Sequence, residues 1–383
     1  MRPIWGTLDP FYEAGDVLGR KVANSEFLRS LLQADAFQEY HFFLPDRTRA
    51  DRLSALLRER HPDLVDGGRM RIFLRRELPR ALSQREYACF HLSDCINHPG
   101  HLARLRNAVS KSLFPITSVT HSLSYSRYVV DFLTQLWPGT TDRDCIVATS
   151  QAGKQVVESY FSLLRNNLNL DGDSFSAPSV EQIPLGVDTG SWSPPDLSGK
   201  NRIRREFGLN EGDVAVLVFG RISPDSKMDL LPLLRALQRV KEGSHPPQVA
   251  LILSGWLEKN EQYGRHLAGL AANLNLSFRL FPRPSDEFKK KVFQASDIFV
   301  SIADNPQETF GLTVLEAMAA GLPVVASDYD GYRAMVRHEE NGFLIPTLGP
   351  AATESLDMLA PLCGDRQAHL LLGQQTVVSV RWP

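Results

Sequence analysis

The chain has 383 residues, more than one ordinary hydrophobic core organises, and this length predicts two domains. It is 43% hydrophobic and 22% charged with a formal net charge of −2, which suits a soluble globular protein and gives no general attraction to nucleic acid. The four cysteines form no C-x-x-C pair, which argues against a zinc knuckle or a redox motif. No stretch reaches the ~20 apolar residues that span a bilayer. The N-terminus lacks the apolar run of a signal peptide, so we expect a cytoplasmic protein.

In the first half of the chain, short apolar runs alternate with amphipathic segments of helix length. The runs at 3–8, 40–44, 71–74, 87–92, 115–120 and 145–150 predict strands, and 20–33 and 151–164 predict helices. Alternation of this kind indicates a parallel sheet with helices on both faces. Residues 166–201 are polar and rich in turn formers, and they predict a linker. We place the domains at 1–190 and 191–383.

The alternation restarts after the linker. Residues 214–220, 248–255, 297–301 and 323–328 predict strands, and 229–241, 285–296 and 312–320 predict helices, the last closed by Gly321. We therefore expect an α/β protein with two doubly wound, Rossmann-like domains of parallel sheet that face each other across a cleft.

Two cations follow the strand at 214–220. Gly220 ends the predicted strand, Arg221 follows at once, and Lys227 comes after a Ser-Pro turn. Ligands of open α/β sheets lie outside the carboxyl ends of the strands. Arginine and lysine at such an end suit a diphosphate, although two solvated surface cations would give the same pattern.

The strand at 297–301 leads through a loop to a second candidate anion site. The loop contains Glu308 and Gly311, and the next helix begins near Leu312 with its free N–H groups exposed to a ligand. Gly311 lets a phosphate or sugar approach the backbone.

Glu316 is a lone carboxylate in that helix. The positions three and four residues later are Ala319 and Ala320, so the helix itself offers no partner. A buried carboxylate is costly unless it is hydrogen-bonded. We therefore expect Glu316 to accept hydrogen bonds from the diol of a nucleotide's ribose.

The order of motifs in the second half resembles a known enzyme family. The matching stretches are "IPLGVD" (183–188), "FGR" with Lys227, "ASDIFVS" (295–301), "ETFGLTVLEAMAAGLPVVASD" (308–328) and "NGFLIP" (341–346). Together they resemble the E-x7-E region of nucleotide-sugar-dependent glycosyltransferases of the two-Rossmann GT-B architecture, in particular glycosyltransferase family 4, a retaining family. The resemblance is close in the C-terminal half and loose in the N-terminal half.

The resemblance implies a role for each matching residue. Arg221 and Lys227 correspond to the pair that neutralises the donor diphosphate, Glu308 to the acid on the transferred sugar, and Glu316 to the ribose ligand. The implied donor-binding set is Gly220, Arg221, Lys227, Glu308, Phe310, Gly311, Leu312 and Glu316.

The resemblance also implies a metal-independent transfer. His121, after the strand at 115–120, resembles the histidine beside the reacting carbon, and the implied catalytic residues are His121, Glu308, Arg221 and Lys227. Cations and a helix start can oppose the charge of the leaving diphosphate, which a metal does in other enzymes. The "DGD" at 171–173 imitates a metal-binding motif but is typical of a polar turn.

The expected co-substrate is a UDP or GDP sugar, with no permanently bound cofactor and no nucleic acid partner. The expected acceptor is a saccharide, a lipid-linked molecule or a small molecule. Basic segments at 69–80 and 101–114 are typical of solvated faces, although peripheral contact of the N-terminal domain with the inner face of a membrane is the alternative.

Two features depart from the family's pattern. The first strand-to-helix loop has Gly15 and then Gly19 where relatives carry a tight Gly-Gly, and the chain ends at 383 where relatives continue into a crossover helix. These departures leave a catalytically weak nucleotide-sugar-binding protein as an alternative. A nucleotide-sugar epimerase or a phosphorylase on the same two-domain frame is a second alternative, although no segment suggests the lysine-bound pyridoxal cofactor that a phosphorylase usually carries.

Overall fold

The computed structural model describes residues 3–13, 19–137, 139–257 and 262–378. Gly15 lies outside these residues. The chain divides into two compact units. The N-terminal unit is Met1–Leu123 with Arg127–Pro184, and the C-terminal unit is Ser124–Ser126 with Leu185–Pro383. The short segment Ser124–Ser126 therefore packs with the C-terminal unit although its neighbours in sequence do not.

The N-terminal unit is a parallel sheet with the strand order β3-β2-β1-β4-β5-β6-β7. The strands are β1 Ile4–Thr7, β2 Glu39–Leu44, β3 Met70–Leu74, β4 Cys89–Leu92, β5 Ile116–Val119, β6 Cys145–Ala148 and β7 Ser179–Gln182. The helices are α1 Gly19–Ala34, α2 Arg47–Arg60, α3 Pro62–Asp66, α4 Leu78–Gln84, α5 Pro99–Val109, α6 Tyr128–Gln135 and α7 Gln151–Leu168. All six strands predicted here are confirmed. The seventh strand, β7, lies in the segment that was expected to be a linker. Only its Val180 is buried, so the sequence has no apolar run there that would predict a strand.

The C-terminal unit repeats this plan with the order β10-β9-β8-β11-β12-β13-β14, in which the short β14 alone is antiparallel. The strands are β8 Val214–Ile222, β9 Val249–Leu257, β10 Ser277–Pro282, β11 Ile298–Ser301, β12 Val324–Asp328, β13 Gly342–Leu348 and β14 Val377–Val378. The helices are α8 Leu197–Glu206, α9 Leu231–Lys241, α10 Gln262–Asn273, α11 Asp286–Ala295, α12 Leu312–Ala319, α13 Glu354–Cys363 and α14 Asp365–Gln375. The prediction of two Rossmann-like domains is confirmed. Helix α8 also lies in the segment that we expected to be a linker.

Each unit buries its own core. Aromatic side chains such as Trp5, Phe42 and Phe90 fill the N-terminal unit, and the C-terminal core joins strand β8 to helices α11 and α12. Helix α12 is short and ends as predicted at Gly321, which has φ +75° while the next N–H, of Leu322, donates to the Ala317 carbonyl at 3.0 Å.

One arginine of the basic segment 101–114 is not on the surface. Arg106 of α5 is 1% exposed and donates to both carboxylate oxygens of Asp144, at 2.6 and 3.0 Å. It also donates to the carbonyls of Phe114 and Gly139. A buried charge that is paired and fully hydrogen-bonded is tolerated in a core. The expectation of a purely solvated basic face is therefore wrong at Arg106.

Candidate functional site

The candidate site lies at the switch point of the C-terminal sheet. The strand order runs outward from β8 in one direction and from its neighbour β11 in the other, and ligands of open α/β sheets bind where the order reverses. Strand β8 is longer than predicted, because its pairing with β9 continues through Gly220 and Arg221 to Ile222. Gly220 and Arg221 therefore belong to the strand, and Lys227 lies on the loop that follows.

Lys227 and Glu308 form an ion pair at this switch point. The Lys227 ammonium contacts the Glu308 carboxylate, and the Lys227 and Glu308 side chains are 12% and 20% exposed. The same ammonium lies 3.4 Å from the hydroxyl of the buried Tyr332, which in turn hydrogen-bonds Ser301 at the end of β11. Two residues that are 81 positions apart in the sequence thus meet over the ends of neighbouring strands.

The charge of Lys227 is sensitive to its surroundings. Burial lowers its pKa to about 7, and the nearby Arg221 guanidinium acts in the same direction while Asp330 opposes it. The Glu308 carboxylate in contact with it also favours the charged form. Burial likewise raises the pKa of Asp330 to about 7. Arg221 makes no ion pair with any residue that the structure describes, so it offers an uncompensated positive charge beside Lys227.

The start of helix α12 depends on Gly311. This residue has φ +99°, and an added Cβ would lie 2.4 Å from the Tyr332 ring. Both observations require glycine at position 311 even without a ligand. Packing against the Tyr332 ring is therefore a structural reason for Gly311, in addition to the predicted approach of a phosphate. Phe310 before it is buried. In the first turn of α12, the N–H groups of Val314 and Leu315 donate to the Gly311 carbonyl, and those of Leu312 and Thr313 have no acceptor among the described residues.

Glu316 has a charged partner, so the expectation of an unpaired carboxylate is wrong. Glu316 is 4% exposed, as expected, but the Lys289 ammonium of helix α11 lies 2.6 Å from its Oε1 atom. That ammonium also lies 5.2 Å from the ring centroids of both Trp192 and Phe219. The i+3 and i+4 positions of α12 could not indicate this pair, because the partner comes from another helix. A ribose ligand would share the carboxylate with Lys289.

Several polar groups near the site belong to residues that no sequence pattern singled out. The Thr313 hydroxyl, in the first turn of α12, is buried without a hydrogen-bond partner among the described residues, as are one oxygen of Asp304 and the amide oxygen of Asn305. Burial raises the pKa of Asp304 to about 6. The sequence pattern did not single out Tyr332 either. These groups were missed because single polar residues in loops carry no periodicity.

His121 belongs to the N-terminal unit, whereas the cluster described above belongs to the C-terminal unit. It follows β5 directly, as predicted, and its Nε2–H donates to the Ser93 carbonyl at 2.8 Å. A carbonyl only accepts, so Nδ1 carries no proton in the neutral ring. Burial lowers the pKa of His121 to about 4, so the ring is neutral at pH 7. Its predicted contact with a donor sugar stays a prediction.

The residues that the structure describes contain no group of three or more His, Cys, Asp or Glu side chains able to hold a metal ion. In the "DGD" segment, Asp171 accepts hydrogen bonds from the backbone N–H groups of Asp173 and Ser174, as in an ordinary Asx turn. No described helix is long and apolar enough to cross a membrane.

Comparisons with known proteins identify the domain that carries this site. Residues 199–355 match the family described as "Glycosyl transferases group 1". The D-inositol 3-phosphate glycosyltransferase of Nocardia farcinica is 30% identical over 240 residues, which are 62% of this chain and 48% of that protein. The phosphatidyl-myo-inositol mannosyltransferase of Mycobacterium leprae is 30% identical over 213 residues, 55% of this chain and 52% of that protein. The chain thus spans about half the length of the curated relatives that it matches.

Solved structures support the fold. The Anabaena protein HepE in complex with UDP has a TM-score of 0.63 at 17% identity, covering 98% of this chain and 94% of that one. A glycosyltransferase from Rickettsia africae has a TM-score of 0.62 at 16% identity, covering 98% and 93%. At these identities the likeness establishes the fold alone. The prediction of the GT-B architecture is therefore confirmed. The description of residues 199–355 as a transferase domain rests on the family match.

Proposed function

We propose that this GT-B chain, whose residues 199–355 carry a group 1 glycosyl transferase domain, moves a sugar from a nucleoside-diphosphate sugar to an acceptor hydroxyl. The observation that carries the proposal is the cationic cluster of Arg221 and Lys227 beside the start of helix α12, at the switch point of the sheet. A diphosphate placed there would meet two cations and a helix N-terminus together.

The ion pair between Lys227 and Glu308 suggests how the donor binds. In the ligand-free protein the Glu308 carboxylate is paired with the Lys227 ammonium. An incoming diphosphate competes for Lys227, and Glu308 is then released to accept hydrogen bonds from the hydroxyls of the sugar. One exchange of partners therefore positions the phosphate and the sugar at the same time. It also avoids leaving Lys227 buried without a counter-charge before the donor arrives.

Bond cleavage then follows from charge. As the bond between the anomeric carbon and the phosphate oxygen breaks, negative charge accumulates on the leaving diphosphate and positive charge on the sugar. Arg221, Lys227 and the N–H groups of the first turn of α12 oppose the growing negative charge, so they stabilise the transition state more than the bound donor. Chemistry of this kind proceeds without a metal ion. Retention at the anomeric carbon and a role for His121 belong to the proposal through the family resemblance.

Glu316 is assigned to the ribose in this proposal. Its carboxylate lies in the second turn of α12, and Lys289 holds one oxygen. The donor is proposed to resemble UDP-glucose or GDP-mannose. Structural neighbours were solved with UDP and UDP-glucose, and one relative is named as a mannosyltransferase.

The acceptor is proposed to be inositol-related, among the saccharide, lipid-linked and small-molecule classes that the sequence left open. Relatives are named for D-inositol 3-phosphate and for phosphatidyl-myo-inositol. A peripheral contact of the N-terminal unit with an anionic membrane would fit a lipid-linked acceptor. Exposed arginines such as Arg76 and Arg80 in the segment 69–80 could supply it.

The test uses the purified full chain with UDP and GDP sugars. Thermal shift with each nucleotide should raise the melting temperature as ln(1 + [L]/Kd) for the correct base, and mass spectrometry should detect transfer to an acceptor mixture. Lys227→Met should abolish most transfer. Lys291→Met, which replaces a partly exposed lysine of α11, should leave transfer unchanged. Nucleotide binding with neither transfer nor hydrolysis would contradict a transferase and favour a binding protein.

A further inference from the structure

The loop that carries Glu308 has no regular structure of its own. It comprises residues 302–311, between strand β11 and helix α12. Glu308 pairs with Lys227 and is 20% exposed. Irregular surface segments open at little cost in free energy, so a carboxylate on such a loop keeps a defined position only if the loop is anchored.

The side chain of Gln307, directly before Glu308, is held at both of its polar atoms. Its Nε2–H donates to Nδ1 of His369 at 2.7 Å, and its Oε1 atom accepts from the Tyr125 hydroxyl at 3.3 Å. The carbonyl of Glu308 itself accepts the Gly331 N–H at 3.0 Å. The backbone that presents the Glu308 carboxylate is therefore anchored by contacts at two successive residues.

One tautomer of His369, in helix α14, satisfies both of its ring nitrogens. The ring is 4% exposed, and its Nε2–H donates to the Ser124 carbonyl at 2.9 Å. A carbonyl only accepts, so Nδ1 of the neutral ring carries no proton and accepts from Gln307. His369 thus joins two parts of the C-terminal unit, the segment Ser124–Ser126 and helix α14, to the loop of Glu308.

We propose that His369 is a positioning residue of the donor site, which fixes the backbone of Glu308 through the side chain of Gln307. Its imidazole bonds Gln307 and not the pair of Lys227 and Glu308, so its effect on that pair passes through the loop. In the proposed donor binding, the Glu308 carboxylate leaves Lys227 and turns to the sugar hydroxyls. That exchange delivers the carboxylate to the sugar only if the backbone stays in place.

This inference rests on the proposed function and deepens it, since it names a residue that sets the affinity for the sugar of the donor. A loosened loop should weaken the contact of Glu308 with the sugar, while the diphosphate keeps Arg221, Lys227 and the start of α12. The affinity for a nucleotide sugar should therefore fall while the affinity for the free nucleotide stays. A merely structural role of His369 would change both affinities together or neither.

The experiment is calorimetric titration of the full chain with UDP-glucose and with GDP-mannose, each compared with free UDP or GDP. The principal variant is Gln307→Met, because Gln307 is partly exposed and methionine keeps most of the side-chain length without the amide. Gln367→Met is the matched control, since Gln367 is exposed in the same helix as His369.

Two replacements of His369 separate its two hydrogen bonds. In His369→Asn, the amide oxygen can take the place of Nδ1 and accept from Gln307. In His369→Gln, the amide nitrogen can take the place of Nε2 and donate to the Ser124 carbonyl. Each variant keeps one bond, so a difference between them reports which bond acts on the donor site.

The proposal predicts that the affinity for the nucleotide sugar is about 10-fold weaker in Gln307→Met and in His369→Gln. His369→Asn should lose less than about threefold, and Gln367→Met less than about twofold. The affinity for the free nucleotide should change less than about twofold in every variant. Equal losses for the nucleotide sugar and the free nucleotide, or a wild-type affinity in Gln307→Met, would overturn the proposal, as would equal losses in the two variants of His369.

Hydrogen–deuterium exchange of the same samples without ligand separates this inference from the proposed function. Backbone amides of the loop 302–311 should exchange about 10-fold faster in Gln307→Met than in the wild-type chain or in Gln367→Met. A wild-type chain that binds no nucleotide sugar contradicts the proposed function. Unchanged exchange of the loop in Gln307→Met contradicts the positioning role, whether or not the donor binds.

Discussion

The pair of Lys289 and Glu316 gives the sharpest test of the C-terminal unit. We consider Lys289→Met, which keeps most of the length of the alkyl stem but removes the ammonium. The two side chains are 14% and 5% exposed, and the ammonium lies 2.6 Å from the carboxylate. Removing one partner of a buried pair leaves the other charge in a medium that solvates it poorly.

The expected cost follows from that burial. Breaking a buried ion pair from one side destabilises a protein by about 3–5 kcal/mol. Loss of the ammonium from the rings of Trp192 and Phe219 adds about 0.5–1 kcal/mol for each contact. The partial exposure of Lys289 reduces the first contribution, so we expect a total loss of about 3–4 kcal/mol.

The assay is urea unfolding followed by circular dichroism, with two further variants. Lys291→Met is the matched control, because this lysine of the same helix pairs with Glu206 at 3.2 Å with both side chains about 40–50% exposed. It should cost less than about 1 kcal/mol. The double variant Lys289→Met with Glu316→Gln should recover much of the loss, since the buried charge is then gone as well.

A loss in Lys289→Met no larger than in Lys291→Met would refute this reasoning, as would a double variant whose loss is the sum of the two single losses. Nucleotide titration of the same variants extends the test. If Glu316 binds the ribose, Glu316→Gln should weaken nucleotide binding while the folded fraction stays high. An unchanged affinity would contradict the ribose assignment.

Three further predictions concern the same unit. Affinity for the donor nucleotide should fall by up to tenfold per pH unit above about pH 7, because the diphosphate requires the protonated Lys227, and titrations of Lys227→Met should lose this dependence; a flat wild-type profile would contradict it. Gly311→Ala should cost about 2–4 kcal/mol in denaturant unfolding because of its positive φ and the 2.4 Å approach to a ring, whereas Gly269→Ala in helix α10, with open space around it, should not destabilise. Burial raises the folded-state pKa of Asp304 to about 6, so ionisation of this residue destabilises the protein as the pH rises from about 4 to 6. The melting temperature of Asp304→Asn relative to wild type should therefore increase with pH over that range, and a constant difference would refute the assignment.

The fold of this chain was largely predictable because its signals are local. Buried parallel strands read as apolar runs, and each predicted strand is present in its sheet. Several elements were not predicted, among them β7, β10, β13 and helix α8. Strand β7 buries only Val180, and helix α8 begins in a stretch rich in proline and glycine. For these elements, pairing with a neighbouring strand or helix decided the structure more than local propensity.

The sequence by itself determined most strands of the two sheets and the closure of helix α12 at Gly321. It also placed Arg221, Lys227 and Glu308 near strand ends, since periodicity and turn chemistry act over a few residues. Only the tertiary structure decided which charges meet. It paired Glu316 with Lys289 of another helix and buried Arg106 on Asp144. The reason is physical: a buried charge is stabilised by whatever group packing brings within a few ångströms, and packing joins residues that the chain keeps far apart.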